Sequence, residues 1–175
     1  LRPEGTAGVM RALASMGIAQ GDERRVYYLG PMFRGERPAA GRKRQFHQVG
    51  AECVGPVGPG VDVECIAMLV HFMKEIGLTN TRLLLNSRGT AEDRVHIGNE
   101  LRAFFEPHLE TFCEDCQRRL TTNVWRILDC KQSACAELAE KAPEIPDLLS
   151  AESKAYFDAV CTGLRDIGIE FEIDP

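Results

Sequence analysis

Two β-rich runs flank a short arginine-rich loop, and this arrangement constrains the chain more than any other feature. Arg25 to Phe33 is dense in Val, Tyr, Leu and Phe, and Arg44 to Val54 alternates in the same way. Gly35 to Lys43 between them holds glycine, proline and charge, which breaks a strand and turns the chain back. The segment therefore reads as a long-looped antiparallel hairpin. Side chains two apart on a strand share a face, so Arg44, Phe46, Gln48, Gly50 and Glu52 form one row: cation, aromatic, amide, bare backbone, carboxylate. A solvated sheet face rarely combines these types beside Arg34, Arg37, Arg42 and Lys43, so the row is read as a binding face. Arg34 and Arg42 can each offer a planar fork to a phosphate or carboxylate. His47 falls on the opposite face and is expected to be a packed core histidine.

The rest of the chain suggests helices packed around this element. Ala7 to Met16 reads as a short helix closed by Gly17, and Asp62 to Ile76 as a helix with Ile66, Leu69, Met73 and Ile76 on a buried face. Arg82 to Asn86 is a short strand. Thr90 with Asp93 resembles a capping box and opens a helix through about Phe105. Further helices are expected at Leu109 to Leu120, Ser133 to Lys141 and Ala151 to Ile167, the last with Tyr156, Val160, Leu164 and Ile167 on one side. Ile169 to Pro175 reads as a strand with nothing after it to pair with. That ending, and a start at Leu1 rather than Met, read as cut ends.

The chain has 175 residues, 44% of them apolar, enough for one core with a satellite. Its net charge of −5 argues against a protein that coats nucleic acid, although the basic loop still invites a polyanion. There is no apolar run long enough to span a membrane and no signal-peptide order, so a cytoplasmic protein is expected. Seven dispersed cysteines suit reduced thiols better than a disulfide framework. Cys113, Cys116, Cys130 and Cys135 have a spacing compatible with tetrahedral zinc. Because Cys113 and Cys116 fall inside an expected helix, buried thiols are favoured and no metal site is assigned.

The motifs also carry a family resemblance. Leu1-Arg2-Pro3-Glu4-Gly5-Thr6-Ala7, Gly30-Pro31-Met32-Phe33-Arg34-Gly35-Glu36-Arg37-Pro38 and Gly41-Arg42-Lys43-Arg44-Gln45-Phe46-His47-Gln48-Val49-Gly50-Ala51-Glu52 closely resemble histidyl-tRNA synthetases, the hairpin matching motif 2 of class II enzymes. The likeness continues through Asn86-Ser87, Glu114-Asp115-Cys116-Gln117-Arg118-Arg119-Leu120, Asn123 and Leu128-Asp129-Cys130-Lys131.

The resemblance implies an α+β fold: residues 1–87 as part of the class II core with its antiparallel sheet and flanking helices, 88–168 as a helical insertion domain, and 169–175 as a strand returning to the core. It implies ATP-dependent activation of L-histidine, assisted by Mg²⁺, and transfer to tRNA(His), in a cytoplasmic homodimer. Arg34 would be the catalytic arginine, touching the α-phosphate and the histidine carboxylate. Glu36 and Phe46 would hold adenine, and Arg42 the far phosphates. Glu4, Thr6 and Gln48 would receive the α-amino group, and Glu52 the imidazole. Ala39 and Ala40 replace residues that in relatives approach the tRNA end. No segment resembles motif 1, the histidine-specific motif, motif 3 or the anticodon-binding domain, so the chain alone is expected not to aminoacylate tRNA efficiently. Two other readings are a non-catalytic regulatory subunit of ATP phosphoribosyltransferase, which generally lacks the helical insertion, and a tRNA-binding fragment.

Overall fold

The computed structural model describes residues 1–17, 22–35, 37–55 and 57–174. They divide into two compact units, Leu1–Thr79 and Asn80–Pro175.

In the first unit a helix, α1 (Thr6–Ser15), precedes strands β1 (Arg24–Phe33) and β2 (Gln45–Val54), and α2 (Pro59–Glu75) follows. The strands pair antiparallel from Arg24 opposite Val54 to Phe33 opposite Gln45. The expected hairpin is therefore formed. Its loop is closed at the tip by a small bridge in which Ala39 and Arg42 exchange backbone hydrogen bonds of 3.2 and 2.9 Å. Gly41 supplies the positive φ of 74° that this tight turn needs. Arg25 grips Glu64 of α2 through two hydrogen bonds of 2.5 and 2.8 Å, which fixes the helix against the strand ends.

One face of the hairpin is covered and the middle of the other is exposed. Val26, Tyr28, Gly30 and Met32 are each less exposed than their neighbours, and Met32 is 1% exposed. On the opposite face Tyr27 and Leu29 are 83% and 71% exposed, and His47 is exposed with them. His47 thus lies on the face its parity assigns, but it is exposed and not a core residue, since α2 reaches that face only at the Arg25–Cys53 end. The helix α2 differs from expectation in the same way: none of its residues is buried, and Leu69 and Ile76 stand exposed.

In the second unit, β3 (Leu84–Leu85) pairs in parallel with β4 (Glu172–Ile173), so the closing stretch has its partner on the far side of the helices. An Arg82–Glu172 ion pair flanks the ladder. Between these strands run α3 (Ala91–Phe105), α4 (Glu114–Thr122), α5 (Ser133–Ala139) and α6 (Ala151–Asp166), linked by 3₁₀ turns at Glu106–Thr111, Val124–Ile127 and Ile145–Leu148. Their core is Ile97, Leu101 and Phe105 from α3 with Phe112, Leu120, Val124 and Ile127, joined by three cysteines.

The capping box at Thr90 and Asp93 is present: Asp93 N–H donates to Thr90 Oγ1 at 3.2 Å and Thr90 N–H to the carboxylate at 2.8 Å. The same carboxylate accepts from Ser150 N–H, the N-cap of α6, at 2.8 Å, and from the Ser153 hydroxyl. One buried acid therefore serves two helix starts, and these donors hold its carboxyl well below the ordinary carboxylate range, the Ser153 hydroxyl most of all.

Two sequence expectations need correction here. The helix expected from Leu109 is interrupted: Phe112 and Cys113 are extended, with ψ of 148° and 156°, so α4 starts at Glu114 and Cys113 is its N-cap. The break lets Phe112 enter the core and turns the Cys113 thiol toward other cysteines. On α6 the buried face is Ser153, Val160, Cys161 and Leu164, whereas Tyr156 and Ile167 are exposed. Among the described residues no helix is long and apolar enough to cross a membrane.

Candidate functional site

The covered hairpin face and the segment before α1 carry the candidate site residues. Residues 1–5 lie along β1: Phe33 N–H donates to Arg2 O at 2.8 Å, and Arg2 Nε returns a bond to Pro31 O at 3.0 Å. The chain then turns into α1 directly over the β2 row. Gly5 N–H donates to Gln48 Oε1 at 3.1 Å, and the Thr6 hydroxyl donates to Glu52 Oε1 at 2.6 Å. Glu4 accepts from Ala7 N–H at 3.0 Å, satisfying one of the free donors at the start of α1.

Gly5 and Thr6 are thus brought to Gln48 and Glu52 by two elements far apart in sequence, while the Glu4 carboxylate bonds locally to the start of α1. Thr6 and Glu52 are joined directly. A carboxylate has about four acceptor positions, so each acid keeps capacity after these bonds.

The bare backbone at Gly50 is covered by Tyr28. Tyr28 sits opposite Gly50 in the register, and a Cβ on Gly50 would come within 2.3 Å of the Tyr28 ring. A Cβ on Gly5 would meet the same ring at 2.2 Å. Tyr28 therefore lies between two glycines and sets the spacing between α1 and the sheet. Sequence reasoning missed it, because its partner is fixed by hairpin register, which the loop conformation determines.

At the loop end, the Arg34 guanidinium stacks over Phe46 with its carbon 3.9 Å from the ring centroid. Arg34 N–H pairs with Arg44 O at 2.8 Å, which continues the ladder past the strand ends. The side-chain Nε of Arg34 is buried with no hydrogen-bond partner among the described residues. An unpaired buried donor on a fixed cation is costly, and it suits a site that takes an anion. Arg42 stands at the exposed turn. Glu36 lies outside the described residues.

In the second unit the thiols of Cys113, Cys116, Cys130 and Cys135 all lie within 4.8 Å of one another. The backbone N–H of Gln132 draws the Cys130 thiol down to about 7, whereas burial pushes Cys116 and Cys135 up.

Comparison with known proteins gives this geometry a family. Residues 1–94 match the family model for histidyl-tRNA synthetase, which covers α1, the hairpin and the start of α3. The chain belongs to the histidyl-tRNA synthetase family. It is 46% identical to a histidine–tRNA ligase of Bacillus licheniformis over 177 aligned positions, covering 100% of this chain and 42% of that protein. The Listeria monocytogenes ligase is 47% identical with the same coverages. The crystal structure of apo Staphylococcus aureus histidyl-tRNA synthetase superposes with a TM-score of 0.74 at 40% identity, covering 100% of this chain and 40% of that one. The chain therefore spans about two-fifths of the length of the synthetases it matches, and its mixed helix and strand architecture is that of the corresponding synthetase segment.

Proposed function

We propose that this chain carries the ATP-binding hairpin and part of the histidine pocket of a histidine–tRNA ligase. That enzyme activates L-histidine with ATP to histidyl-adenylate, releasing pyrophosphate, and transfers histidine to tRNA(His). The supporting observation is that the start of α1 meets Gln48 and Glu52 on one face of the hairpin through Gly5 and Thr6, with Glu4 beside them in the chain and the Arg34 Nε, unpaired among the described residues, at the loop end.

Arg34 would bind the α-phosphate and the histidine carboxylate, neutralising charge that grows as the carboxylate attacks phosphorus. Phe46 would stack adenine; Arg34 already takes one face of the ring, so the base would use the other or displace it. Glu36 would complete the adenine pocket and Arg42 would hold the outer phosphates. The described loop residues 37–44 offer cations and no carboxylate, which fits a triphosphate; Mg²⁺ would arrive with the nucleotide and offset its charge. Glu4, Thr6 and Gln48 would receive the α-amino group. Glu52 would accept from the imidazole, and leaving such an acceptor unpaired would disfavour other side chains. The catalysis proposed is placement and electrostatics, with no covalent enzyme intermediate.

Residues 1–87 would belong to the class II catalytic core, 88–168 to an insertion reaching toward the tRNA acceptor stem, and 169–175 to the strand returning to the core. The complete enzyme would be a cytoplasmic homodimer. Every relative named above is a histidine–tRNA ligase, which favours this reading over the regulatory-subunit alternative.

Titration calorimetry of Mg²⁺–ATP into the chain, beside an Arg34→Ala variant, tests the nucleotide site. Binding that disappears in the variant is expected. Equal binding by both proteins would remove the nucleotide from Arg34 and overturn the assignment.

A further inference from the structure

Four of the five thiols of the second unit, those of Cys113, Cys116, Cys130 and Cys135, form a cluster that the proposed chemistry does not use. Cys113 and Cys130 place their sulfurs 3.9 Å apart, and all four ligand atoms lie within 4.8 Å of one another. Four sulfurs at about 2.3 Å from a tetrahedral Zn²⁺ are separated from each other by about 3.8 Å. A disulfide needs about 2.05 Å, and all seven cysteines are free. The thiols are thus spaced as the corners of a metal tetrahedron and too far apart to be bonded pairs.

From this convergence we infer that Cys113, Cys116, Cys130 and Cys135 bind one Zn²⁺ ion in a closed, structural tetrathiolate site.

Local structure supports the assignment. Cys113 and Cys116 are the N-cap and third residue of α4, so the extended backbone at Phe112–Cys113 and the first helical turn point two thiols at one place. Cys130 comes from the turn after the 3₁₀ segment Val124–Ile127, and Cys135 from the first turn of α5. The backbone N–H of Cys113 is directed at Cys135 Sγ at 3.4 Å, and Arg119 Nη1 lies 3.7 Å from Cys116 Sγ. Donors aimed at sulfur suit the net negative charge of a zinc ion with four thiolates, and the adjoining surface carries both signs, Arg119 and Lys131 beside Glu114, Asp115 and Asp129.

Packing alone accounts for this less well. Free cysteines are often small core residues. Here, however, three of the twelve residues in the buried cluster are cysteines that meet at one point rather than dispersing among the apolar groups. The segments they join are also short, nine residues in α4 and seven in α5, below the length at which a helix holds itself in water. A metal cross-link would fix α4, the turn at Cys130 and α5 together. With four protein ligands no coordination position stays open, so the ion would be structural and not catalytic.

The test is the metal content of the purified chain, followed by exchange of the ion for Co²⁺ under reducing conditions. We expect one zinc per chain, release by a thiol-blocking mercurial, and Co²⁺ spectra with thiolate charge-transfer bands and the d–d bands of a tetrahedral tetrathiolate. Cys113→Ser should weaken zinc binding at least ~100-fold, the upper end of what loss of a merely supporting partner costs. Cys65→Ser, in the other unit, should leave it unchanged. A folded wild-type chain that carries no zinc and takes up no Co²⁺ as a tetrathiolate would overturn the inference, whatever the variants do. So would zinc that Cys113→Ser and Cys135→Ser both retain with unchanged affinity.

Discussion

The Thr6 hydroxyl donates to the Glu52 carboxylate at 2.6 Å, tying the first residue of α1 to β2 across 46 positions of sequence. Together with the Gly5–Gln48 bond at 3.1 Å, it holds the Glu4-Gly5-Thr6 segment over the hairpin face. Neither bond is local, so the site depends on α1 docking on the sheet and not on the hairpin alone.

Thr6→Val keeps the side-chain shape and removes the donor. We expect a stability loss of about 1 kcal/mol or less, because the pair is solvent-exposed. Faster proteolysis within residues 1–6 should accompany it. A double-mutant cycle with Glu52→Gln, read by urea denaturation, should show coupling between the two positions; strict additivity would mean the bond does not hold the segment.

Gly50→Ala drives a methyl group into the Tyr28 ring, where a Cβ would sit 2.3 Å from the nearest ring carbon. Overpacking of this kind costs about 1–3 kcal/mol. Adding Tyr28→Leu should recover part of the loss, since the ring is the obstruction. A double variant as unstable as the sum of the single ones would refute the proposed packing.

Asp93 gives the second unit an acid sensitivity. Its carboxyl is held below the ordinary range by Ser153, Thr90 and Ser150, so the charged form is the one that folding favours. Stability from this group is full above the unfolded carboxylate pKa of about 3.9. It drains away as pH falls from there toward the lower folded value. Asp93→Asn should therefore be less stable than wild type at neutral pH and show a flatter stability profile in acid, measured by thermal melts between neutral and acidic pH. Parallel profiles for the two proteins would contradict this.

Phe46→Leu removes the ring under Arg34 while keeping an apolar side chain. A guanidinium over an aromatic face is worth about 0.5–2 kcal/mol. If that stack positions Arg34 for the nucleotide, the variant should bind Mg²⁺–ATP about 2- to 30-fold more weakly by calorimetry. An unchanged affinity would mean that neither the stack nor the ring contributes to the site.

The parts of this protein that local pattern determines were readable in its sequence. Period-two alternation identified both strands and the shared face of Phe46, Gln48, Gly50 and Glu52, and the Thr90–Asp93 pair marked the start of α3. Where a distant partner decides the outcome, sequence reasoning fell short. Tyr28 filling the space at Gly50 depends on strand register. Leu69 of α2 and Ile76 at its C-cap have helical spacing, yet about half of each stays exposed, and periodicity cannot say what a face will meet. The cysteines turned on one boundary: two extended residues, Phe112 and Cys113, interrupt a helix that composition would continue, and that break brings the thiols together.

The central claim is that the hairpin face activates histidine, and a chimaera tests it most directly. Residues 1–175 would replace the matching segment of the Listeria monocytogenes ligase, which is 47% identical over this stretch. The folded chimaera should catalyse histidine-dependent exchange of pyrophosphate into ATP. Arg34→Ala should slow that exchange by about 10²–10³-fold, the usual effect of deleting a fixed charge-stabilising donor. A folded chimaera with no exchange, or one whose exchange survives Arg34→Ala unchanged, would contradict the account.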